Sequence, residues 1–387
     1  MKKRTGDPPA VGSRTVPSRT VPSRTVPSRT TSTSKDPAPA TAPTTRSRAR
    51  APRTPTIRDV AATAGVAVGT VSRVLNGHKS VSEDVRRRVL KAVGKLRYEP
   101  DRVAQSMRLG STRTVALAVR DITMPGFGDI ANAAEEVLRS EGYTLLLAIT
   151  DERKEREIDL LRMFVQRRVD AVIMTTSNEE DGELRRHIKQ LTIPVVLLDR
   201  DHPGEVDSVT IDHRSGIRAA TEYLLQLGHA RIALLTGRPS VRPARERIAG
   251  FERGLAEARR GHEAVVRTGG FSAEFGFRET STLLSGSRPP TAIVAGGMAM
   301  LAGVLRAVRV HRLRIPDDIS VVAGSDTDLA ALTTPAITAV HWSGADEGRL
   351  AVQLLLERLR GERGAPGRHV MLGTELITRG SCAPPGG

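Results

Sequence analysis

The side chains best suited to recognising a partner stand close together in one short segment of the chain. Arg73 carries a planar guanidinium that can donate two hydrogen bonds to guanine, the commonest specific contact between proteins and DNA. Val68 can contact a thymine methyl group, whereas Gly69 can offer only its backbone. Hydroxyl and amide side chains nearby suit phosphate oxygens. The candidates for contact with a DNA duplex are Val68, Gly69, Thr70, Ser72, Arg73 and Asn76.

Two short helices are predicted to position this segment. Apolar residues from Ile57 to Ala64 follow the i, i+3, i+4, i+7 spacing of one helix face. Gly65 interrupts the pattern, and a second, shorter apolar face follows from Val71 to Leu75. Two short helices joined by a turn that contains glycine are typical of a helix-turn-helix. Ser82 is predicted to be the N-cap of a third helix that completes the small core.

The excess positive charge of the chain is confined to its first 110 residues. That segment carries 23 Lys and Arg against 7 Asp and Glu, which accounts for the whole formal charge of +16. A basic segment on an otherwise neutral chain is typical of proteins that bind a polyanion. Residues 1–55 repeat the pentad Ser-Arg-Thr-Val-Pro and are predicted to be a disordered basic tail. Weak attraction to DNA and an inert extension both remain open as the role of this tail.

The segment from Thr56 to Gly77 resembles the DNA-binding head of the LacI/GalR (lac repressor) family. It reads TIRDVAATAGVAVGTVSRVLNG, and the likeness continues through Leu96-Arg-Tyr-Glu-Pro100 and Arg102-Val-Ala-Gln-Ser106. The resemblance implies a head over residues 56–100 and a hinge helix over residues 101–112. It also implies that Met107 wedges into the minor groove, where the family usually has leucine. Further DNA contacts implied by the resemblance are Ile57, Ala67, Ser82, Tyr98, Asp101, Ala104 and Met107.

The rest of the chain is predicted to be an α/β core with parallel sheets. From residue 113, short apolar runs alternate with amphipathic stretches, as buried parallel strands alternate with helices. The strand-like runs are residues 115–119, 143–149, 171–174, 195–198, 231–235, 291–294 and 319–322. The resemblance extends to periplasmic sugar-binding proteins and implies a two-lobed core over residues 113–382, with three crossings of the chain. The first lobe is expected at about 113–212 and 341–370, and the second at about 213–340 and 371–382.

The loops at the carboxyl ends of the predicted strands hold the candidate ligand-binding residues, because ligands of such sheets bind there. The resemblance implies that Arg245 is the arginine that grips the effector. Where the family usually has polar side chains, this chain has Gly297 and Met298. Fewer polar groups imply a less hydroxylated ligand, so a sugar and a less polar metabolite both remain open. The candidates for effector binding are Phe127, Asp199, Arg200, Arg245, Asp326 and Trp342.

One motif favours a different class of protein. Gly126-Phe-Gly128-Asp-Ile-Ala131 fits the glycine fingerprint of NAD-binding enzymes, and Asp151 ends the next predicted strand. However, Arg120 to Pro125 separate the first glycine from its strand, whereas the fingerprint requires the glycine to follow at once. An exported solute-binding protein is a further alternative, but the sequence has no apolar signal segment and this class does not explain the head.

The remaining features predict a regulator rather than an enzyme. The sequence contains no nucleophile elbow, Walker loop or metal-spaced His/Cys cluster, so neither a metal nor a cofactor is expected. Cys382 is the only cysteine and no apolar run is long enough for a membrane span, which favours the cytoplasm. We therefore expect a repressor that binds a near-palindromic operator in double-stranded DNA and responds to a small-molecule effector. A homodimer is expected, because no leucine-heptad segment follows Arg379.

Overall fold

The computed structural model describes residues 55–75, 77–78, 80–99, 110–201, 204, 206–257, 263–361 and 365–386. The chain forms two compact units that divide after Tyr98, and each is described by itself. Almost all of the predicted tail and most of the predicted hinge lie outside the described residues, as do four predicted DNA contacts: Asn76, Asp101, Ala104 and Met107. Within the described ranges, no helix is long and apolar enough to cross a membrane.

The first unit is a bundle of three short helices. They are α1 (Ile57–Ala64), α2 (Val68–Leu75) and α3 (Glu83–Leu96). The Asp59 carboxylate accepts hydrogen bonds from the backbone N–H and the hydroxyl of Thr56, each at 2.7 Å, which fixes the start of α1. Gly65 ends α1 with a left-handed φ of 64°, a conformation that glycine adopts without strain. The apolar faces of the three helices meet in one core, so the predicted helix-turn-helix is confirmed.

The second unit alternates strands and helices along most of its length. In chain order its elements are β1 (Thr114–Val119), α4 (Phe127–Ser140), β2 (Thr144–Ile149), α5 (Lys154–Gln166), β3 (Ala171–Met174), α6 (Gly182–Lys189), β4 (Val195–Leu198), β5 (Asp207–Ile211), α7 (His213–Gln226), β6 (Arg231–Gly237), α8 (Arg242–Glu257), β7 (Glu263–Gly269), α9 (Ala273–Leu284), β8 (Ala292–Ala295), α10 (Met300–Val310), β9 (Ser320–Ala323), α11 (Asp328–Leu332), β10 (Thr338–His341), α12 (Gly344–Arg360), β11 (His369–Leu372) and β12 (Glu375–Ile377).

These strands form two separate sheets of six strands each. The first has the order β11-β5-β4-β3-β1-β2, and every neighbouring pair in it is parallel. The second has the order β12-β10-β9-β8-β6-β7 and is parallel except for β12, which runs antiparallel to β10. The predicted α/β fold with parallel sheets is therefore confirmed, with one antiparallel edge strand that the sequence pattern did not predict.

Helices cover both faces of each sheet, and this defines two lobes. In the first lobe, α4 and α12 pack on one face and α5 and α6 on the other. In the second lobe, α7 and α8 pack on one face, and α9, α10 and α11 on the other. Strands covered on both faces have no solvent side, which explains why β3 reads AVIM and β4 reads VVLL, with every residue buried.

The chain passes between the two sheets three times within the described residues. The first passage follows β5, the second follows β10, and the third lies between β11 and β12. The predicted boundary between residues 370 and 371 falls two residues too early. Met371 and Leu372 still pair with Thr210 and Ile211 in the first sheet, so the third passage starts only after β11 ends.

Close helix packing helps to shape the space between the lobes. A Cβ atom at Gly348 would lie 2.4 Å from the carbonyl oxygen of Ile130, so only glycine lets α12 approach α4 this closely. Likewise, a Cβ atom at Gly250 would lie 2.3 Å from the carbonyl oxygen of Arg214, where α8 packs on α7. These contacts set how closely α8 packs on α7 and α12 on α4, and both α8 and α12 carry side chains that line the cleft.

Candidate DNA interface and ligand cleft

The outer surface of α2 presents the predicted base-reading residues to solvent. Val71 and Val74 are buried in the head core, whereas Val68 is 38% exposed and Arg73 is exposed. Gly69 and Arg73 are four residues apart and therefore share one helix face. A Cβ atom at Gly69 would meet no described atom within 4 Å, so the surface beside the Arg73 side chain is open. Among the other residues of the set, Ala67 is exposed and Thr70 and Ser72 are half-buried.

Three further predicted DNA contacts occupy different environments in the head. Ile57 and Tyr98 are half-buried and pack against the head core, so part of each side chain has a structural role. Ser82 is exposed and is the N-cap residue of α3, as predicted. Direct contact of these three residues with DNA remains a prediction.

A cavity of about 110 Å³ lies between the two lobes, at the carboxyl ends of strands from both sheets. Ligands of parallel α/β sheets bind at this end because the loops there can converge on one space. Its walls are largely apolar, with two aromatic rings contributed from the second-sheet side by Phe271 and, after β10, by Trp342. The other apolar side chains of the lining are Val119, Met124, Phe127, Ile130, Leu198, Ile211, Pro243, Met298 and Ala299.

Four of the six predicted effector-binding residues line this cavity. They are Phe127, Asp199, Arg200 and Trp342. Arg245 and Asp326 are not among its lining residues, so the structure does not bring them to the cleft. Asp326 is instead held by Arg379, whose two terminal nitrogens donate hydrogen bonds to the two carboxylate oxygens at 2.7 and 2.9 Å. This bidentate pair fastens the loop after β9 to the segment after β12 and gives Asp326 a structural role.

Arg245 joins the two lobes outside the cavity. Its Nη2 donates to Glu179 at 2.5 Å and to Asp201 at 3.0 Å, and both acceptors belong to the first lobe. Glu179 also accepts a hydrogen bond from the backbone N–H of Arg242 at 2.7 Å. Burial raises the pKa of Glu179 above its ordinary value, although Arg242 and Arg245 oppose this shift. We call Glu179, Asp201, Arg242 and Arg245 the interlobe clasp.

Asp199 lines the cavity, but its carboxylate is already engaged by the protein. Its Oδ2 accepts a hydrogen bond from His213 Nε2 at 2.8 Å, and its Oδ1 lies 3.3 Å from the backbone nitrogen of Ile211 and 3.4 Å from Arg242. Burial disfavours the charged carboxylate, but His213 and the neighbouring arginines outweigh it and hold the pKa of Asp199 well below its ordinary value. Asp199 therefore has a structural role beside the cavity, where its carboxylate contacts both His213 and Arg242.

His213 is a neutral imidazole in this arrangement. It is buried, and burial together with the charge of Arg247 lowers its pKa below the ordinary value. The proton on Nε2 is donated to Asp199, which leaves Nδ1 as a buried acceptor with no partner among the described residues. The ring stands perpendicular to Trp342, with 5.4 Å between ring centroids, and so holds the indole at the cavity wall.

The arginine that does reach the cavity is Arg247, two residues beyond the predicted Arg245. Only 4% of Arg247 is exposed, and its Nε has no hydrogen-bond partner among the described residues. Its Nη2 lies 3.5 Å from His213 Nε2, but that nitrogen carries the proton given to Asp199 and cannot accept another. The guanidinium also lies 5.6 Å from the ring centroid of Phe271. Burial lowers the pKa of Arg247 to about 10, so it remains a cation at neutral pH.

Glu347 adds a neutral acid to the same wall. It lies in the first turns of α12, is 4% exposed, and lines the cavity. Burial, reinforced by the negative charge of Asp199, raises the pKa of Glu347 to about 8, although a hydrogen bond from Trp342 opposes the shift. At neutral pH the folded protein therefore holds Glu347 mostly as a protonated carboxylic acid.

Comparison with known proteins assigns this combination of head and cleft to a family. Residues 56–101 match the bacterial regulatory proteins of the lacI family, and residues 221–382 match a periplasmic binding protein-like domain. The chain is 33% identical over 308 residues to the HTH-type transcriptional repressor PurR of Vibrio campbellii, covering 79% of this chain and 92% of the relative. The chain belongs to the LacI family of bacterial regulatory proteins. The resemblance stated from the sequence is thus confirmed.

Solved structures agree with the LacI-family assignment. The lac repressor dimer bound to operator and the anti-inducer ONPF superposes with a TM-score of 0.76 at 28% identity, over 86% of this chain and 100% of that chain. The complex of the transcriptional regulator CelR with cellobiose gives a TM-score of 0.63 at 30% identity, over 84% of this chain and 99% of that chain. Membership of a family of regulatory proteins also confirms the prediction that the chain is not an enzyme.

The glycine motif that favoured an NAD-binding enzyme has a different role in this LacI-family protein. Gly126 is the N-cap residue of α4 and has a left-handed φ of 77°. The side chain of Met298 fills the space above it, since its Cε and Sδ would lie 3.7 Å from a Cβ at Gly126. Because the chain belongs to the LacI family of regulatory proteins, the dinucleotide interpretation is wrong.

Several cleft residues were not predicted from the sequence of this LacI-family chain. Phe271 follows β7, a partly exposed strand that reads EAVVRTG and was not among the predicted strands. Arg247 carried a usable signal, because Ala244, Arg247 and Phe251 share the buried stripe of α8. Glu347 gave no comparable signal, since a glutamate in the first turns of a helix usually faces solvent. The remaining unpredicted members are Val119, Arg120, Met124, Ile130, Glu152, Thr175, Leu198, Ile211, Pro243, Gly297, Met298 and Ala299.

Proposed function

We propose that this protein is a transcriptional repressor that binds a near-palindromic operator as a homodimer. A small-molecule effector bound between the core lobes controls its affinity for that operator. The observation that carries the proposal is the cleft cavity, because it places the buried Arg247 cation, whose Nε has no hydrogen-bond partner among the described residues, at the carboxyl ends of both sheets. The names of similar proteins support the same function: PurR is a transcriptional repressor, and the lac repressor structure contains a dimer on its operator.

The head supports sequence-specific binding of double-stranded DNA. Helix α2 presents Arg73 beside the open surface at Gly69, an arrangement that lets an arginine reach a base edge in the major groove. Small side chains at Val68 and Gly69 allow the helix backbone to approach the bases closely. Two heads held by a core dimer read two half-sites, so the preferred site has two-fold symmetry.

The control of DNA binding follows from the two lobes of the core. An effector changes the equilibrium between two core states only through its different affinity for them, typically about 1 to 3 kcal/mol. The interlobe clasp and the cleft both span the two lobes, so closure of the lobes is the movement that such a ligand affects. We place this regulator in the cytoplasm, where its DNA target and its metabolite are both accessible.

The DNA side of the proposal is tested by selecting binding sites from a random duplex library with the full-length protein. Arg73→Ala is expected to weaken binding to the selected site by about 1 to 3 kcal/mol and to relax preference at one base position in each half-site. Arg87→Ala is the matched control: this exposed arginine of α3 pairs with Asp84 and should leave the preferred bases unchanged. A selection that returns no symmetrical site for the unchanged protein contradicts the proposed function.

A further inference from the structure

The charges around the cleft balance except at one residue. On the interlobe side, three carboxylates face three guanidiniums within ion-pairing distance: Asp199, Asp201 and Glu179 against Arg200, Arg242 and Arg245. At the mouth of the cavity, Arg120 pairs with Glu152 at 3.3 Å. Glu347 is a neutral acid at neutral pH. Arg247 therefore remains as the one guanidinium in this group with no carboxylate within ion-pairing distance among the described residues, although Asp199 stabilises its charge from farther away.

The hydrogen-bonding capacity of Arg247 is also unused. A guanidinium has five N–H donors, and no described oxygen accepts from any of them in Arg247. Leaving a buried charged donor without an acceptor is unfavourable, and the opposing carboxylate normally supplies two parallel hydrogen bonds. Because Arg247 is 4% exposed, bulk water compensates for little of this. An anionic group with two acceptor oxygens would supply the hydrogen-bond acceptors that the Arg247 guanidinium does not find among the described residues.

The remainder of the cavity suits an apolar body rather than a polyol. Phe127, Phe271, Met298 and Trp342 line the same cavity as Arg247, and none of them can accept a hydrogen bond from a sugar hydroxyl. A cavity of about 110 Å³ is also small, since cavities of roughly 150 Å³ hold a single benzene ring. The space therefore favours a compact ligand over one with two sugar rings.

We infer that the effector of this cleft is a small organic monocarboxylate with a compact apolar or aromatic body, whose carboxylate binds Arg247. The inference deepens the proposed function and rests on it. The apolar body packs against Trp342 and Phe271, and the two carboxylate oxygens accept hydrogen bonds from the Arg247 guanidinium. Glu347, as a neutral acid, donates its O–H toward the same space without repelling the bound anion.

The inference is tested by titrating the full-length protein with benzoate, phenylacetate and isobutyrate. Trp342 is the only tryptophan of the chain and lines the cavity, so its fluorescence reports occupancy directly. Benzamide, which has the shape of benzoate without its charge, and glucose are the comparison ligands. At least one carboxylate is expected to bind about 10-fold or more tightly than benzamide, and glucose is expected to give no saturable change.

Variants of α8 then locate the carboxylate. Arg247→Met is expected to weaken binding of the carboxylate by about 10-fold or more and to leave benzamide unaffected, while Arg247→Lys keeps part of the affinity. Arg253→Met is the matched control, because Arg253 is an exposed arginine of the same helix. The inference is overturned if none of the three carboxylates binds, if benzamide or glucose binds as tightly, or if Arg247→Met leaves carboxylate affinity unchanged.

Failure of this inference is distinguishable from failure of the proposed function. Selection of a symmetrical DNA site by the ligand-free protein does not depend on which ligand fills the cleft. A protein that selects such a site but binds only neutral polyols retains the proposed function and overturns the monocarboxylate assignment. The comparison of benzoate with benzamide uses the unchanged protein, so it remains decisive even if Arg247→Met does not fold.

Discussion

The buried acid of the cleft makes the stability of the core depend on pH in a defined direction. The pKa of Glu347 rises from an ordinary 4.5 to about 8 on folding, because burial and the charge of Asp199 disfavour its ionised form. Between these values the folded protein keeps a proton that the unfolded chain has lost. Below pH 4.5 Glu347 is protonated in both the folded and the unfolded state and does not oppose folding. As the pH rises from 4.5 toward about 8, Glu347 ionises in the unfolded chain but not in the folded protein, so the free energy of unfolding falls.

The size of this effect follows from the shift in pKa. A separation of about 3.5 pH units at about 1.36 kcal/mol per unit corresponds to an upper limit of roughly 5 kcal/mol. Relaxation around an ionised side chain lowers such penalties, so we expect about 2 to 5 kcal/mol. Glu347→Gln keeps the shape and neutrality of the protonated acid and can still accept the hydrogen bond from Trp342. The variant should equal the parent near pH 5 and exceed its stability at pH 8.5.

Urea denaturation followed by the fluorescence of Trp342 measures this difference, because the single tryptophan reports on the core. Glu157, whose pKa burial raises to about 7, contributes to the pH dependence of both proteins and cancels from their difference. Glu180→Gln, at an exposed position of the same lobe, is the control and should show no pH-dependent gain. Parallel stability curves for the parent and Glu347→Gln between pH 5 and 8.5 would refute the reasoning.

Two further predictions concern the interlobe clasp and the basic tail. Arg245→Ala removes the ion pairs to Glu179 and Asp201 and should weaken lobe closure by about 1 to 3 kcal/mol, since it leaves the buried Glu179 with fewer donors. Amide hydrogen exchange in residues 240–245 should become faster, and unchanged exchange would count against a clasp. Deletion of residues 1–53 should reduce the dependence of DNA affinity on salt without changing the preferred site, as measured by binding titrations at several salt concentrations. A lost site preference would show that the tail does more than attract DNA.

The sequence predicts the elements that are buried on all sides and misses those with mixed patterns. Continuous apolar runs located β1, β3 and β4 within one residue, because strands covered by helices on both faces must be apolar throughout. β5 reads DSVTI and is nevertheless fully buried. Its Asp207 is neutralised by a bidentate ion pair with Arg358, which lies 151 residues later in the chain. No local pattern predicts a buried aspartate whose partner is so distant.

Local sequence patterns also fail to identify the edge strands β11 and β12 of the two sheets. β11 and β12 are short, are partly exposed, and stand in a segment without clear alternation. β11 joins the first sheet before the third passage between the lobes, and β12 joins the second sheet after it. That choice is made by register with β5 and β10, not by local propensity. The predicted lobe boundary was consequently displaced into β11.

Arg245 and Arg247 show how one helix segment can place neighbouring arginines in different environments. Successive residues of a helix are rotated by about 100°, so Arg245 and Arg247 point to nearly opposite sides of α8. Ala244, Arg247 and Phe251 share the buried stripe, and only that side faces the cavity. Arg245, on the other side, meets the carboxylates of the first lobe. The environment of each arginine therefore follows from helix periodicity: Arg245 pairs with carboxylates of the first lobe, and Arg247 reaches the cavity, where we infer that a ligand carboxylate binds it.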